Sequence, residues 1–208
     1  SIRLGLEYSY DGRFAFGIGR NSLQKVYDSF LKYRLLRQTT DNSMPLSVTL
    51  FSGMYYTTIK DPNKAITGVD RYQYASSRIS YAHEIIIARK FNEAFSFQVS
   101  PTFIHFNMVD TKADKNDVYV VAFATRYKFT KRMALTLEYG YRANKYSTQK
   151  YYDSVGIGID IETGGHVFQM YLTNSLGMIE PQFFAQTTSK WQNAGLKIGF
   201  NISRIFSI

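Results

Sequence analysis

The chain has 208 residues, of which 45% are hydrophobic and 20% charged, which excludes a disordered polymer and suits one large domain. Its net charge of +9 comes from 25 Lys and Arg against 16 Asp and Glu, but the basic residues are dispersed, which argues against a nucleic-acid partner. Cysteine is absent, so disulfides and thiolate metal sites are excluded, and no apolar run reaches the ~18 residues of a spanning helix.

From the N-terminus onward the hydrophobic period is two. Ile2, Leu4, Leu6, Tyr8 and Tyr10 alternate with Arg3, Gly5, Glu7 and Ser9, and Asp11-Gly12 predicts a tight hairpin turn. Phe14, Phe16 and Ile18 alternate with Ala15, Gly17 and Gly19. Residues 22–38 fit either a helical period through Val26, Phe30 and Tyr33 or a strand exposing Tyr27, Leu31, Tyr33 and Leu35; strand neighbours favour the strand. Met44 to Met54, Ile79 to Ile87, Phe95 to Phe103 and Tyr119 to Phe129 continue the alternation. Met133, Leu135, Leu137, Tyr139 and Tyr141 then interleave with Ala134, Thr136, Glu138, Gly140 and Arg142. Val155 to Ile161, Phe168 to Leu172 and Leu196 to Phe206 complete eleven strands.

Many of these strands reach ten residues, which suits the ~9–11 that a tilted strand needs to cross a bilayer. Short connections at 11–12, 39–43, 91–93, 130–132 and 163–165 alternate with longer ones at 21–24, 60–76, 109–117, 143–152 and 176–195. Outer-membrane barrels sort their turns and loops in this way. The expected fold is therefore all-β, a transmembrane antiparallel up-and-down barrel forming one domain over 1–208, located in the bacterial outer membrane. Strands one and eleven would run in the same direction, and single-chain bacterial barrels have even strand numbers. An N-terminal strand missing from this sequence and a twelve-stranded intact barrel are the expectation; the opening Ser1, with no signal peptide, suggests a processed or incomplete form.

The stretches "IRLGLEYSYDGRFAFGIGRNSLQKVYDSFLKYRLLRQ", "YDSVGIGIDIETGGHVFQMYLTNS" and "LKIGFNISRIF" resemble a family of uncharacterised Bacteroidota outer-membrane β-barrel proteins, a domain of unknown function. The resemblance implies the same location and a further strand before Ser1, and it carries no activity or catalytic residues.

Alternation places Arg3, Glu7, Arg13, Asp28, Lys32, Arg34, Arg78, Glu84, Arg126, Lys128, Glu138, Arg142, Asp160, Glu162 and Lys197 on the inner face. Nine are basic and six acidic, so a porin-like pore would favour anions, while ion pairing among them would plug it. So small a barrel is narrower than the open porins, which favours a narrow or plugged lumen. His83 and Glu84 are adjacent and point to opposite faces, so they form no dyad; His83 lies in the lipid-facing row as a candidate partner contact. Pro101 is expected to impose a bulge that turns His105 inward, and His166 to lie at an interface. No nucleophile, His and acid share a motif, so the expectation is no enzyme and no cofactor. "DTKADKNDV" (110–118) lacks the glycine and bidentate Glu of a calcium loop. "GIGR" and "GIGID" precede no helix, so they are small inward residues and not nucleotide fingerprints. The apolar loop 176–195, with Phe183, Phe184 and Trp191, either folds into the barrel mouth or meets a partner. Candidate partners are outer-membrane lipid, lipopolysaccharide and other outer-membrane proteins; the alternative to a pore is a structural subunit of a larger assembly, with an outer-membrane enzyme less favoured.

Overall fold

Residues whose side chains alternate between large and apolar and small or polar satisfy a two-faced sheet and no other regular element. In the computed structural model this pattern forms β1 (Arg3–Tyr10), β2 (Phe14–Asn21), β3 (Val26–Leu36), β4 (Ser47–Thr57), β5 (Ile79–Lys90) and β6 (Phe95–Phe106). It continues as β7 (Asp117–Lys128), β8 (Met133–Arg142), β9 (Ser154–Thr163), β10 (His166–Thr173) and β11 (Lys197–Arg204). Residues 1–61, 64–144, 150–193 and 195–206 are described; parts of the long connections expected at 60–76, 143–152 and 176–195 (62–63, 145–149 and 194) lie outside the described residues. The strands form one sheet in chain order, each antiparallel to the next, the up-and-down arrangement expected. Among the described residues β1 pairs only with β2 and β11 only with β10, so the sheet is not closed by a backbone ladder.

The segment that also fitted a helix is β3. Its backbone is paired on both sides, Phe16 with Leu31 on β2 and Leu31 with Ser52 on β4, and the sheet thereby overrides local helix propensity. At the first hairpin Asp11 and Gly12 both take positive φ, +52° and +67°, and the Asp11 carboxylate accepts the Arg13 and Phe14 N–H groups.

Two local expectations are corrected. Met44 and Leu46 are not part of β4, and the connection spans 37–46 rather than 39–43. Asp41 accepts from the Ser43 N–H and hydroxyl, Asn42 turns at φ +61°, and Pro45 has no N–H to extend the ladder. Pro101 does not create a bulge. Both Glu84–Thr102 and Ile87–Val99 keep one register across it, so proline only interrupts two pairings. His105 consequently stays on the outer face, where Asp117 accepts or shares its Nδ1 proton at 2.6 Å and its ring stacks on Phe103.

The outer face is sorted by depth. Leu6, Ile18, Leu31, Leu50, Ile85, Leu137 and Ile159 occupy mid-strand positions, most of them well exposed. Tyr27, Tyr56, Tyr81, Tyr119 and Tyr141 lie toward the long-loop end, and Tyr10, Phe14, Tyr33, Phe95 and Tyr127 toward the short-turn end. An apolar band between two aromatic girdles is the profile of a barrel matched to a bilayer.

The inner face explains the glycines of "GIGR". A side chain at Gly17 would collide with the Phe30 ring, and one at Gly19 with the Arg3 and Asp28 head groups. Small residues on β2 therefore leave room for an aromatic ring and an ion pair within the curl of the sheet.

Candidate functional site

The connection between β10 and β11 is the long apolar loop of the sequence, and it enters the curl of the sheet. Asn174, Ser175, Ile179, Pro181, Gln182, Ala185 and Thr187 are buried, and a π-helical turn runs over Pro181–Ala185. Ile179 and Ala185 join Val26, Phe51, Tyr55, Ala82, Ile104, Val118 and Val120 in one apolar cluster, with Phe184 packed against it. Burying apolar groups in an otherwise polar interior gives the loop its driving force. Phe184 packs against this cluster and beside Gly140, and Phe183 lies beside Gly156, so of the two fates open to this loop, folding into the mouth is the one adopted by that pair, whose rings meet edge to face at 5.2 Å. Trp191, farther along, is about one-third exposed.

Specific polar contacts hold this plug. The Tyr55 hydroxyl donates to Glu180 Oε2 at 2.5 Å, and Asn21 Nδ2 donates to Gln182 Oε1 at 2.8 Å. Gln182 Nε2 donates to the Leu23 carbonyl, and the Tyr152 N–H to the Thr187 carbonyl. Lys197 Nζ reaches the Asn174 and Gly195 carbonyls and Ser189 Oγ, tying the root of the loop to β11. Buried polar groups satisfied in this way specify one arrangement, because losing a partner in a dry interior is costly. Ser1 Oγ donates to the Leu176 carbonyl at 3.0 Å, so the first residue of the chain also meets this loop.

The sequence-expected inner charges fall into distinct groups. Arg3 donates twice to Asp28, whose side chain is 2% exposed, and Lys32 bonds Glu7 at 3.1 Å. Arg126 bridges Asp160 and Glu162, and Lys128 meets Glu162 at 3.5 Å. Glu84 is buried on β5 without an ion pair among the described residues. Glu138 faces Gly156 and Ala124 across its two ladders. Arg142 is buried with its guanidinium 5.0 Å from the Tyr151 ring. Arg13 lies exposed in the first turn and Arg34 exposed on β3, while Arg78 is not in a strand but in the short turn Ala75–Arg78 before β5.

Above the plug, at the long-loop end, lies a pocket of about 300 Å³. Its floor is apolar (Val26, Ile79, Phe106, Met108, Ile179, Pro181) and its rim polar (Thr57, Arg71, Tyr72, Arg78, Asp110, Tyr151). Arg71 pairs with Asp110 at 2.7 Å; burial, the largest single influence, would lower the guanidinium pKa, but that bond and the charge interactions with Tyr72, Asp110 and Asp61 together outweigh it and the pKa is raised. Beside the pocket, the Tyr72 N–H and then Lys64 hold the Asp70 carboxyl below the usual range. Burial, with the Asp110 charge second, pushes the Tyr151 phenol up.

His83 is on the outer face with Nδ1 sharing a hydrogen bond with Ser52 Oγ at 3.0 Å and its ring stacked on Phe103. His166 opens β10 at the short-turn end, against Phe168. Sequence reasoning missed Asn21, Tyr55, Glu180 and Gln182 as plug anchors and Arg71, Tyr72 and Asp110 as rim residues. The signal available for Tyr55 was a large aromatic side chain at an inward position beside Gly53.

No curated protein matches the chain. A family model described as a membrane bound beta barrel domain (DUF5777), of unknown function, matches residues 1–206. With its two-faced up-and-down sheet and nearly its whole length covered by that model, the chain belongs to this family of membrane-bound β-barrels.

Proposed function

We propose that the protein is an integral outer-membrane barrel, without catalytic activity, whose narrow lumen is closed at the long-loop end by the 174–196 connection. The observation that carries this reading is the plug itself, with Ala185 fully buried and Gln182 bonded to β2 and the turn that follows it. The apolar band, the two aromatic girdles and the opening of the three longest connections (58–78, 143–153 and 174–196) from one end of the sheet support the outer membrane as its location. The His105–Asp117 pair lies on the outer face among aromatic rings, where it supports packing and does not line a cleft. Reconstituted in planar bilayers, the intact protein should show no steady ion current. Regular conductance steps at low voltage would overturn the closed-lumen reading. For orientation, cysteines at Lys64, Lys115 and Asn144 should react on whole cells with an impermeant thiol reagent, and one at Asn92 should not; the reverse pattern would invert the topology.

A second reading has its own observation. His83 and Ser52 form a polar couple at mid-strand depth on a largely apolar outer face, beside Phe103, and a polar couple there suits contact with another protein. In this reading the barrel is a structural subunit of a larger outer-membrane assembly. Purification from native membranes in mild detergent tests it, because His83→Leu should release any co-purifying barrel protein that wild type retains.

A further inference from the structure

We propose that the pocket above the plug is a binding site for a small organic monocarboxylate with a compact apolar body, and that Arg78 is the residue that holds its carboxylate. Arg78 Nη1 donates to the Ile59 carbonyl at 2.8 Å and more weakly to the Thr57 carbonyl at 3.4 Å, and its Cζ lies 4.2 Å from the Tyr72 ring centroid. These contacts fix the plane of the guanidinium. Its Nε and Nη2 edge meets no acceptor among the described residues; the Asp70 carboxylate, itself held by the Tyr72 N–H and Lys64, acts on Arg78 through charge and not through a hydrogen bond. A planar guanidinium with two adjacent donors pre-positioned suits two-pronged recognition of a carboxylate.

The other charged groups of the rim are engaged. Arg71 is bound to Asp110, and Asp114 accepts from the Thr111 N–H and hydroxyl. Counting Arg71 and Arg78 against Asp110 and Asp114, the lining is neutral, so a monoanion on Arg78 meets less repulsion than a phosphate dianion would. A saccharide is disfavoured on geometry. The Tyr72 ring carries Arg71 and Arg78 at 5.3 and 4.2 Å, and the Tyr151 ring carries Arg142 at 5.0 Å, so guanidinium groups already occupy the ring surfaces on which a sugar would stack. The floor of Val26, Phe106, Met108, Ile179 and Pro181 offers an apolar bed instead. At about 300 Å³ the space is at the small end of ligand sites, which limits the apolar body to roughly one ring or a short branched chain.

The inference rests on the plug lying in the mouth, since Ile179 and Pro181 are part of the floor. It is read by binding and not by current, so the two can fail separately. Phenylacetate and its neutral isostere phenylacetamide are the probes, titrated calorimetrically into the intact detergent-purified barrel, with phenyl phosphate as a third arm. Phenylacetate should bind about tenfold to a hundredfold more tightly than phenylacetamide, the range expected for hydrogen bonds to a charged group. Arg78→Gln should remove that preference, and Arg78→Lys, which keeps the charge without the fork, should restore part of it. Met108→Trp fills the pocket from another wall and should abolish binding of both probes. Folding of each variant is verified by its heat-dependent gel migration. Equal affinity of wild type for acid and amide, tighter binding of phenyl phosphate, unchanged preference in correctly folded Arg78→Gln, or binding that survives Met108→Trp would each overturn the proposal.

Discussion

Replacing residues 178–187 by a short Gly-Ser linker is expected to convert a silent barrel into a conducting one. That segment supplies Ile179 and Ala185 to the interior apolar cluster and Glu180 and Gln182 to the wall contacts. Its removal exposes Asn21 and Tyr55 to water, which can satisfy them, so the wall survives while the apolar stopper is gone. Current through the opened lumen should favour anions slightly, because seven basic side chains on the inner wall (Arg3, Lys32, Arg34, Arg126, Lys128, Arg142 and Lys197) exceed six acidic ones and fields from opposite walls add in a confined space. The preference should shrink toward 1 M salt, where the Debye length falls to ~3 Å. Planar-bilayer recordings with a salt gradient measure both effects. A folded deletion variant that stays silent would place the closure in the wall, where Arg3–Asp28 and Arg126–Asp160–Glu162 cross the inner face.

Leu137→Arg should abolish insertion, whereas Glu138→Gln should assemble like wild type. Leu137 is mid-strand on β8, 44% exposed on the outer face and paired with Thr125 and Ile157. An arginine at the bilayer midplane costs ~2–4 kcal/mol, which lowers the folded-to-unfolded ratio by about thirtyfold to nearly a thousandfold. That is a large share of the ~5–15 kcal/mol by which domains are usually stable. Glu138, one residue on, points to the other face between Gly156 and Ala124, where loss of its charge removes no ion pair among the described residues. The folded fraction in membrane extracts, read from unboiled against boiled gel migration, decides the matter. Equal insertion of the two variants would show that the faces are assigned the wrong way round.

What the sequence determined by itself was the sheet and its two faces. A side-chain period of two is a local property, and each strand needs only its own residues to display it; Met133 to Tyr141 on one side and Ala134 to Arg142 on the other could be separated without a partner in view. Strand order followed as well, because short antiparallel connections leave little choice of neighbour. The tertiary structure decided three other things. It sent Phe183 and Phe184 into the mouth, since an apolar loop is equally content against a wall or a partner until that wall is built. It kept His105 outside, because the pairings on both sides of Pro101 hold one register that no local rule about proline could foresee. It also brought Arg78, Tyr72 and Asp110 to one pocket with the plug below them. Tyr72 and Arg78 come from the β4–β5 connection and Asp110 from the β6–β7 connection, and irregular backbone has no period from which its meeting points can be read.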